Sequence, residues 1–446
     1  MANFIGIDAG TSFLKGAVLN LDALTIRDHE RVPFPAFLPG LPEGYREVDP
    51  NQILRAVDEL LDRLTRRTSD CHGIVLCGQM HGCLLVNERG EAASNYFSWL
   101  DARVSVAEFE ELSGRIPPPL RSELGNEFRS SIAVSLLYSM KRRGLLPPGS
   151  VTPVSVADFI AAHLCAATPV MEPTQAAAFG ALRLTDLQWH PQVIGRLDLG
   201  SLRWPPVRPT GSVAGYWRGV PCYTAIGDQQ CALAGALLAE NELSINIGTG
   251  SQVAVIADLG LSDCQTRPYF DGRFLRTITH IPGGRALSAL IGLLTDLAGI
   301  SEEDAWRKID AAVDSVPATD LRAGLAFYPG PCGSSGFLEN LHERNLTAGH
   351  VFRAAYESMA HNYAACMRRL NPAHKPARIV FSGGVARRRA LLRDLTATEM
   401  NLSHRLSPHP EDTLMGLLVY ALASSGRAES VSAAARRVAE ALSYPG

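Results

Sequence analysis

No two of the nine cysteines are spaced as C-x-x-C; all are scattered singly. That excludes a disulfide scaffold and the common zinc modules, and it reads as free buried thiols in a reducing cytoplasm. Neither sign of charge is in excess. A net charge of −3 removes the electrostatic case for nucleic acid or an anionic membrane as partner. No apolar run reaches membrane-spanning length without interruption. The opening stretch, MANFIGIDAG, has neither the basic region nor the cleavage site of a secretory signal, so a cytoplasmic protein is expected. Several catalytic signatures are missing as well. There is no G-x-x-x-x-G-K-[ST] loop and no G-x-S-x-G elbow; HERNL (342–346) lacks the second histidine of a zincin, and GTGSQV lacks the third glycine of a dinucleotide fingerprint.

What is present is a chain of 446 residues, 46% hydrophobic and 20% charged, long enough for two domains. FIGIDAGTSFLKGAVLN reads as strand, glycine turn, strand, and GIVLCGQMHGCLLV (73–86) repeats that plan. Asp49-Pro50 suits a helix start, with Ile53, Leu54, Val57, Leu60, Leu61 and Leu64 as its apolar stripe. Val351–Leu370 has helical spacing at Phe352, Ala355, Met359, Tyr363, Cys366 and Leu370. ARIVFSGGVARRRALLRDL (377–395) reads as strand, Gly-Gly turn, helix.

One internal echo suggests the architecture. IDAGTSFLKGAV and INIGTGSQVAVI align without a gap at an offset of 238 residues, matching Gly10-Thr11 to Gly248-Thr249 and Asp8 to Asn246. Two similar halves, each opening on a strand–Gly-Thr–strand hairpin, would face each other across a cleft. Small residues let backbone N–H groups approach an anion and hydroxyls add donors, so the paired turns suit a polyphosphate. Asp8 is then placed to hold Mg²⁺ through water. Lys15 could add charge there or be solvated, and the turns could also be plain hairpins. Gly383 and Gly384 permit the flat approach an adenine or ribose needs, or simply make a tight turn. Gln79 and His81 lie between glycines at a strand end, where ligands bind, although a single satisfied histidine looks the same in sequence. Trp99, Asp101 and Arg103 offer a polyol an aromatic face, a carboxylate and a guanidinium; a surface ion pair is the alternative. In AIGDQQCALAGALL, Asp228 stands at the mouth of an apolar helix, as a base for phosphoryl transfer, as a helix cap, or as both.

Together these stretches resemble the FGGY carbohydrate kinases of the actin-like ATPase superfamily. GIDAGTS is similar to the first phosphate motif, GQMHG and W-x-D-x-R to the sugar motifs, GDQQ to the catalytic-base motif, NIGTGS to the second phosphate motif, and SGG to the adenosine motif. The matches fall in order over residues 4–420. Within the family, INIGTGSQVAV, PYFDGRFLRT, PGGRALSALIGLL and NLTAGHVFRA are similar to stretches of the sedoheptulokinases. The second phosphate motif departs from the usual G-T-S-G, and FYPGPCGSSGFLENLHERNL replaces the usual C-terminal loop.

The resemblance implies an α/β protein of two RNase H-like domains, residues 1–238 for sugar and base and 239–446 for nucleotide, each built on a five-stranded sheet. It implies Asp228 and Asp8 as catalytic residues. Gln79, Met80, His81, Trp99, Asp101, Arg103 and Gln229 would bind sugar. Gly10, Thr11, Ser12, Lys15, Gly248, Thr249, Gly250, Gly383, Gly384 and Arg387 would bind ATP, with Mg²⁺ at Asp8. The implied reaction is phosphorylation of sedoheptulose on its C7 hydroxyl. A pentulose kinase is the nearest rival; an actin- or chaperone-like ATPase and an inactive sugar sensor are more distant. Partners would be the sugar and ATP, with no nucleic acid or membrane, and a homodimer is possible on the same footing.

Overall fold

The computed structural model describes residues 2–442 except 69, 261, 371, 373 and 374. It divides into two compact units. The first comprises Met1–Leu237, Asp258–Phe274 and Glu411–Gly446; the second comprises Leu238–Ala257 and Leu275–Pro410. The first break therefore falls beside the expected 238/239 boundary, but two later segments return to the first unit. Among the described residues, no helix is long and apolar enough to cross a membrane.

In the first unit the central sheet runs Val213–Trp217, Val220–Tyr223, Cys71–Gly78, Asn3–Ala9, Phe13–Asn20, Thr25–Pro33, and Ile226–Gly227 also pairs with Cys71–Gly78. Seven strands thus stand where five were expected. Asn3–Ala9 is buried throughout. Ile5, Ile7 and Ala9 join the core that receives Ile53, Val57, Leu60, Leu61 and Leu64 of the helix Pro50–Thr65. Phe4 joins a second core with Leu414, Leu417 and Leu418. Side chains alternate across a strand, so one strand serves both layers. The first helix begins as expected, with Asp49 accepting from the Asn51 N–H and proline in the first turn, although Ala56 is buried and Leu54 only partly so.

One expected hairpin is absent. Leu84–Val86 pairs with Thr152–Val154 and not with Cys71–Gly78. His81, at φ 73°, lies between the two strands, in the left-handed region that non-glycine residues seldom enter.

The helices Asp228–Gly235 and Asp412–Ser424 cross in this unit in close backbone approach at Gly235 and Gly416. A methyl on Gly235 would sit 1.9 Å from the Asp412 carbonyl oxygen, and one on Gly416 would sit 1.9 Å from that of Cys231. Gly416→Ala must push the helices apart. It should destabilise the chain by about 1–3 kcal/mol, the usual cost of overpacking. The measurement is the denaturant midpoint, and an unchanged midpoint would mean that the crossing yields freely.

The second unit carries the strands Phe274–Ile281, Ser251–Ala257, Glu242–Ile247, Arg378–Ser382 and Ser403–Leu406, in that order. All six apolar positions expected in the long helix, Phe352 to Leu370, are buried within Ala348–Leu370. The echo between the halves is real but slips by one residue. Asp8 faces Lys15 across the first hairpin, whereas Asn246 faces Gln252 across the second. The second turn is thus one residue shorter, and the gapless alignment puts its returning strand out of register. After Arg378–Ser382, Gly383 takes φ 88°, and a methyl there would lie 2.6 Å from the Ile247 carbonyl oxygen. The expected helix then breaks into Gly384–Arg388 and Ala390–Met400.

Candidate active site

Two carboxylates anchor the site in the first unit. Asp8 lies near the end of its strand and is buried. Thr413 Oγ1 donates to its Oδ2 at 2.7 Å, and Cys77 Sγ lies 3.6 Å from its Oδ1. Burial pushes its pKa above the usual carboxylate range. Asp228 is the first residue of its helix, and the cap is Gly227, which has no side chain to bond with. The capping role considered for Asp228 is therefore not the one it fills. Its Oδ1 instead accepts from the Gln229 N–H at 2.8 Å. Burial, followed by the neighbouring charge of Asp8, raises its pKa to about 7, while the Gln229 amide and Arg267 pull the other way. A helix N-terminus alone would have kept Asp228 fully ionised; here desolvation outweighs the dipole.

The turn after Gly78 supplies the next groups. Gln79 donates from Nε2 to the Gly10 carbonyl at 3.3 Å, and Met80 is buried against Gly227. His81 Nδ1 lies 3.1 Å from the Ala178 carbonyl, and its Nε2 lies 2.8 Å from Arg129 Nη2. Arginine only donates, so Nε2 accepts and the proton sits on Nδ1. Burial first, then Arg129, lowers the His81 pKa to about 3 and keeps the ring neutral.

Around His81 stands a cluster that the sequence did not disclose. Glu127 is fully buried. It accepts from Arg267 Nε at 2.7 Å, Arg129 Nη2 at 3.0 Å, Arg267 Nη2 at 3.2 Å and Gln265 Nε2 at 3.3 Å. Burial works to raise its pKa, but Arg267, His81 and Arg129 overcome that and bring it to about 2. Arg267 Nη1 also donates to Gln229 Oε1. The only signal in sequence is the pair Glu127, Arg129 ahead of an otherwise uncharged stretch.

Other expected residues are engaged differently from what the sequence suggested. Trp99 Nε1 donates to Thr11 Oγ1 at 3.0 Å, which leaves the Thr11 proton for another acceptor. Ser12 is exposed on the same turn. Lys15 pairs with Glu411 at 2.6 Å. Asp101 and Arg103 are turned toward each other: Oδ1 takes Arg103 Nε at 2.8 Å, and Oδ2 takes Arg103 Nη2 at 2.7 Å and the Arg46 N–H at 2.7 Å. Arg103 also binds Glu47 at 2.6 Å. The pair is buried, which corrects the surface-pair alternative, and most of its bonding capacity is met internally.

The second unit holds a cavity of about 1000 Å³, lined by Gly248, Thr249, Gly284, Arg285, Trp306, Gly384, Arg388 and Arg389 among others. The volume is at the upper end for small-molecule sites, usually about 300–1,000 Å³. Arg389 lies 3.9 Å from the Trp306 ring centroid and pairs with Asp310. Three glycines keep one wall flat. Arg387 does not line this cavity. Its Nη2 donates to the carbonyl and hydroxyl of Ser407, at 2.9 and 2.6 Å, so Arg388 and Arg389 stand where Arg387 was expected. Gly250 acts through its carbonyl, which accepts from the Gly248 N–H at 3.0 Å. Asn246, the counterpart of Asp8, donates to Ser382 Oγ at 2.8 Å, so the second hairpin carries an amide where the first has its acid.

Residues 3–235 match the N-terminal domain of the FGGY family of carbohydrate kinases, and residues 302–425 match its C-terminal domain. The chain belongs to the FGGY family of carbohydrate kinases. It is 25% identical to sedoheptulokinase of Homo sapiens over 414 residues, 80% of this chain and 84% of that one. It is 33% identical to xylulose kinase of Staphylococcus xylosus over 109 residues, 24% of this chain and 22% of that one. Its structure is similar to that of Plasmodium falciparum glycerol kinase with ADP, with a TM-score of 0.85 at 17% identity over 98% of this chain and 92% of that one. The fold is that of the actin-like ATPases, and the protein is an ATP-dependent sugar kinase.

As an FGGY kinase the chain needs a polar sugar site, a base and a nucleotide site. The first unit gathers Asp8, Gln79, His81, Asp228 and Gln229, with Glu127, Arg129 and Arg267 added. Among the described residues, no group of three or more His, Cys, Asp or Glu side chains could hold a metal ion. A single carboxylate fits magnesium nonetheless, because that ion keeps several waters and takes one or two carboxylates plus substrate phosphates.

Proposed function

We propose that this kinase transfers the γ-phosphoryl group of ATP to the terminal hydroxyl of a ketose, and that the ketose is sedoheptulose. The observation that carries the substrate is the similarity to human sedoheptulokinase, which extends over 80% of the chain. The shorter similarity to a xylulose kinase favours a pentulose as the second reading. All nine cysteines are thiols, which suits the reducing cytoplasm.

Asp228 takes the proton of the attacking hydroxyl. Gln229 and Arg129 hold the other hydroxyls through a network already fixed by His81, Glu127 and Arg267. Within the second unit Thr249 donates to a phosphate oxygen, while Trp306 and the glycines of that cavity take the nucleoside; within the first, Thr11 has its hydroxyl proton left for a phosphate. Asp8 would hold Mg²⁺ through water; the ion, when bound, neutralises charge on the transferring group.

ADP release measured over sedoheptulose, xylulose, ribulose and glycerol tests the reading. The kcat/KM for sedoheptulose should lead by about tenfold or more, since two carbons of extra contact are each worth roughly 1 kcal/mol or above. A pentulose or glycerol in first place overturns the seven-carbon substrate and leaves the kinase intact.

A further inference from the structure

Glu172, Pro173, Thr174 and Gln175 open a five-residue helix, Pro173–Ala177, that supplies none of the candidate ligand groups. Glu172, Thr174 and Gln175 are completely buried. Polar side chains in such a position cost stability unless bonded, and Gln175 Oε1 has no partner, so the bonds that these residues do make show what they are for. Gln175 donates from Nε2 to the Gly78 carbonyl at 3.0 Å and to the Ile226 carbonyl at 3.2 Å. Those carbonyls belong to adjacent strand ends: Gly78 precedes the Gln79–His81 turn, and Ile226 lies two residues before Asp228. The strands pair only at Ile226↔Cys77 and Gly227↔Gly78. One amide group thus ties together the ends that carry the sugar turn and the base.

Thr174 completes the hold. Its Oγ1 donates to Glu172 Oε2 and, with its proton so committed, accepts the Gly227 N–H at 2.8 Å. Glu172 is itself fixed by Thr210 Oγ1 at 2.6 Å and by the Thr174 N–H at 2.7 Å. Gly227 is the residue before Asp228. It caps the helix without a side chain to steady it, so the direction in which Asp228 leaves its strand rests on this hydroxyl.

We propose that Thr174 and Gln175 are positioning residues for phosphoryl transfer, which clamp the ends of two short-paired strands and thereby aim Asp228 and the Gln79–His81 turn at one substrate. The clamp rests on the reading of Asp228 as the base. It acts on alignment and not on affinity, because both residues are completely buried and their side chains bond to Glu172 and to the backbone of Gly78, Ile226 and Gly227. Misplacement of a reacting group by about 1 Å can cost on the order of 10²-fold in rate.

The test uses the full chain with Thr174→Val, Thr174→Ser, Gln175→Met and Asp228→Asn, each assayed per folded molecule. Thr174→Val keeps the shape and loses the acceptor. Its kcat should fall by about 10- to 100-fold, while KM for sugar and for MgATP stays within about twofold. Hydrogen exchange at the Gly227 N–H should quicken, and Thr174→Ser should restore most of the rate. Gln175→Met should repeat the kcat loss. Wild-type kcat in Thr174→Val beside an inactive Asp228→Asn overturns the clamp alone. Near-normal turnover in Asp228→Asn overturns the base, and the clamp with it. KM values that rise along with the fall in kcat, failure of the serine variant to recover, or loss of folding in both Thr174→Val and Gln175→Met also overturns the proposal, because the residues are then general scaffolding.

Discussion

Asp228→Asn should leave a folded chain that binds sugar and MgATP and turns over about 10²- to 10⁴-fold more slowly, the span usual for a positioned acid–base group. Asparagine keeps the size of the side chain and can still accept from the Gln229 N–H. It lacks the basicity needed to take the hydroxyl proton. Because Gly227 is the cap, no capping bond is lost. A folded variant with near-normal turnover removes Asp228 from the mechanism.

The same residue sets two pH dependences. With a pKa near 7, the base is half protonated at neutral pH, so kcat should rise with pH through about 7 and level off above it. The asparagine variant should lose that limb. Stability runs the other way. An unfolded aspartate titrates near 3.9, so between about pH 4 and 7 the folded chain holds a proton that the unfolded chain has released. Folding therefore weakens as pH rises through that window and stays weaker above it. The variant carries no buried charge at this position. It should melt at the parent's temperature near pH 4 and above it at pH 8; a lower melting temperature at pH 8 would contradict the desolvated carboxylate.

What could be read from the sequence was local. The turn at Gly10-Thr11, the capped helix after Asp49 and the stripe from Phe352 to Leu370 each follow from spacing and turn chemistry over fewer than about 25 residues. The bonds that tune the site are not local. Arg267 neutralises Glu127 from 140 positions away, Glu411 meets Lys15 across 396, and Thr413 fixes Asp8 across 405. Periodicity tells which face of an element is buried. It does not tell which distant charge will be waiting there. That is why the pairing of Lys15 with Glu411 and of Arg387 with Ser407 was not legible, and why Glu127, Arg129 and Arg267 went unseen. The one-residue slip between the two hairpins was hidden for a related reason: a turn of three residues and one of four align equally well until the opposite strand is in view.

Asp101→Ala should cost about 3–5 kcal/mol of stability, the range for removing one partner of a buried ion pair. The sequence suggested a sugar contact here, whose loss would raise the sugar KM and spare ATP. The geometry argues otherwise. Asp101 and Arg103 are 6% and 8% exposed. The Arg103 guanidinium is held by Asp101 and Glu47 while stacked 3.9 Å from the Tyr45 ring centroid and 4.8 Å from that of Phe97. Alanine at position 101 leaves the Arg46 and Arg103 N–H groups without their acceptor and Arg103 with one carboxylate in place of two. The loss is that of three unpaired donors, the Arg46 and Arg103 backbone N–H groups and Arg103 Nε, and a half-neutralised buried cation, none of which depends on substrate. Asp101→Asn retains an acceptor for one of the donors and should therefore fall between the alanine variant and the parent. Denaturant midpoints measure this directly, and KM for sugar and for ATP, taken on the folded fraction, should change together or not at all. A variant as stable as the parent with a raised sugar KM alone would return Asp101 to the sugar site.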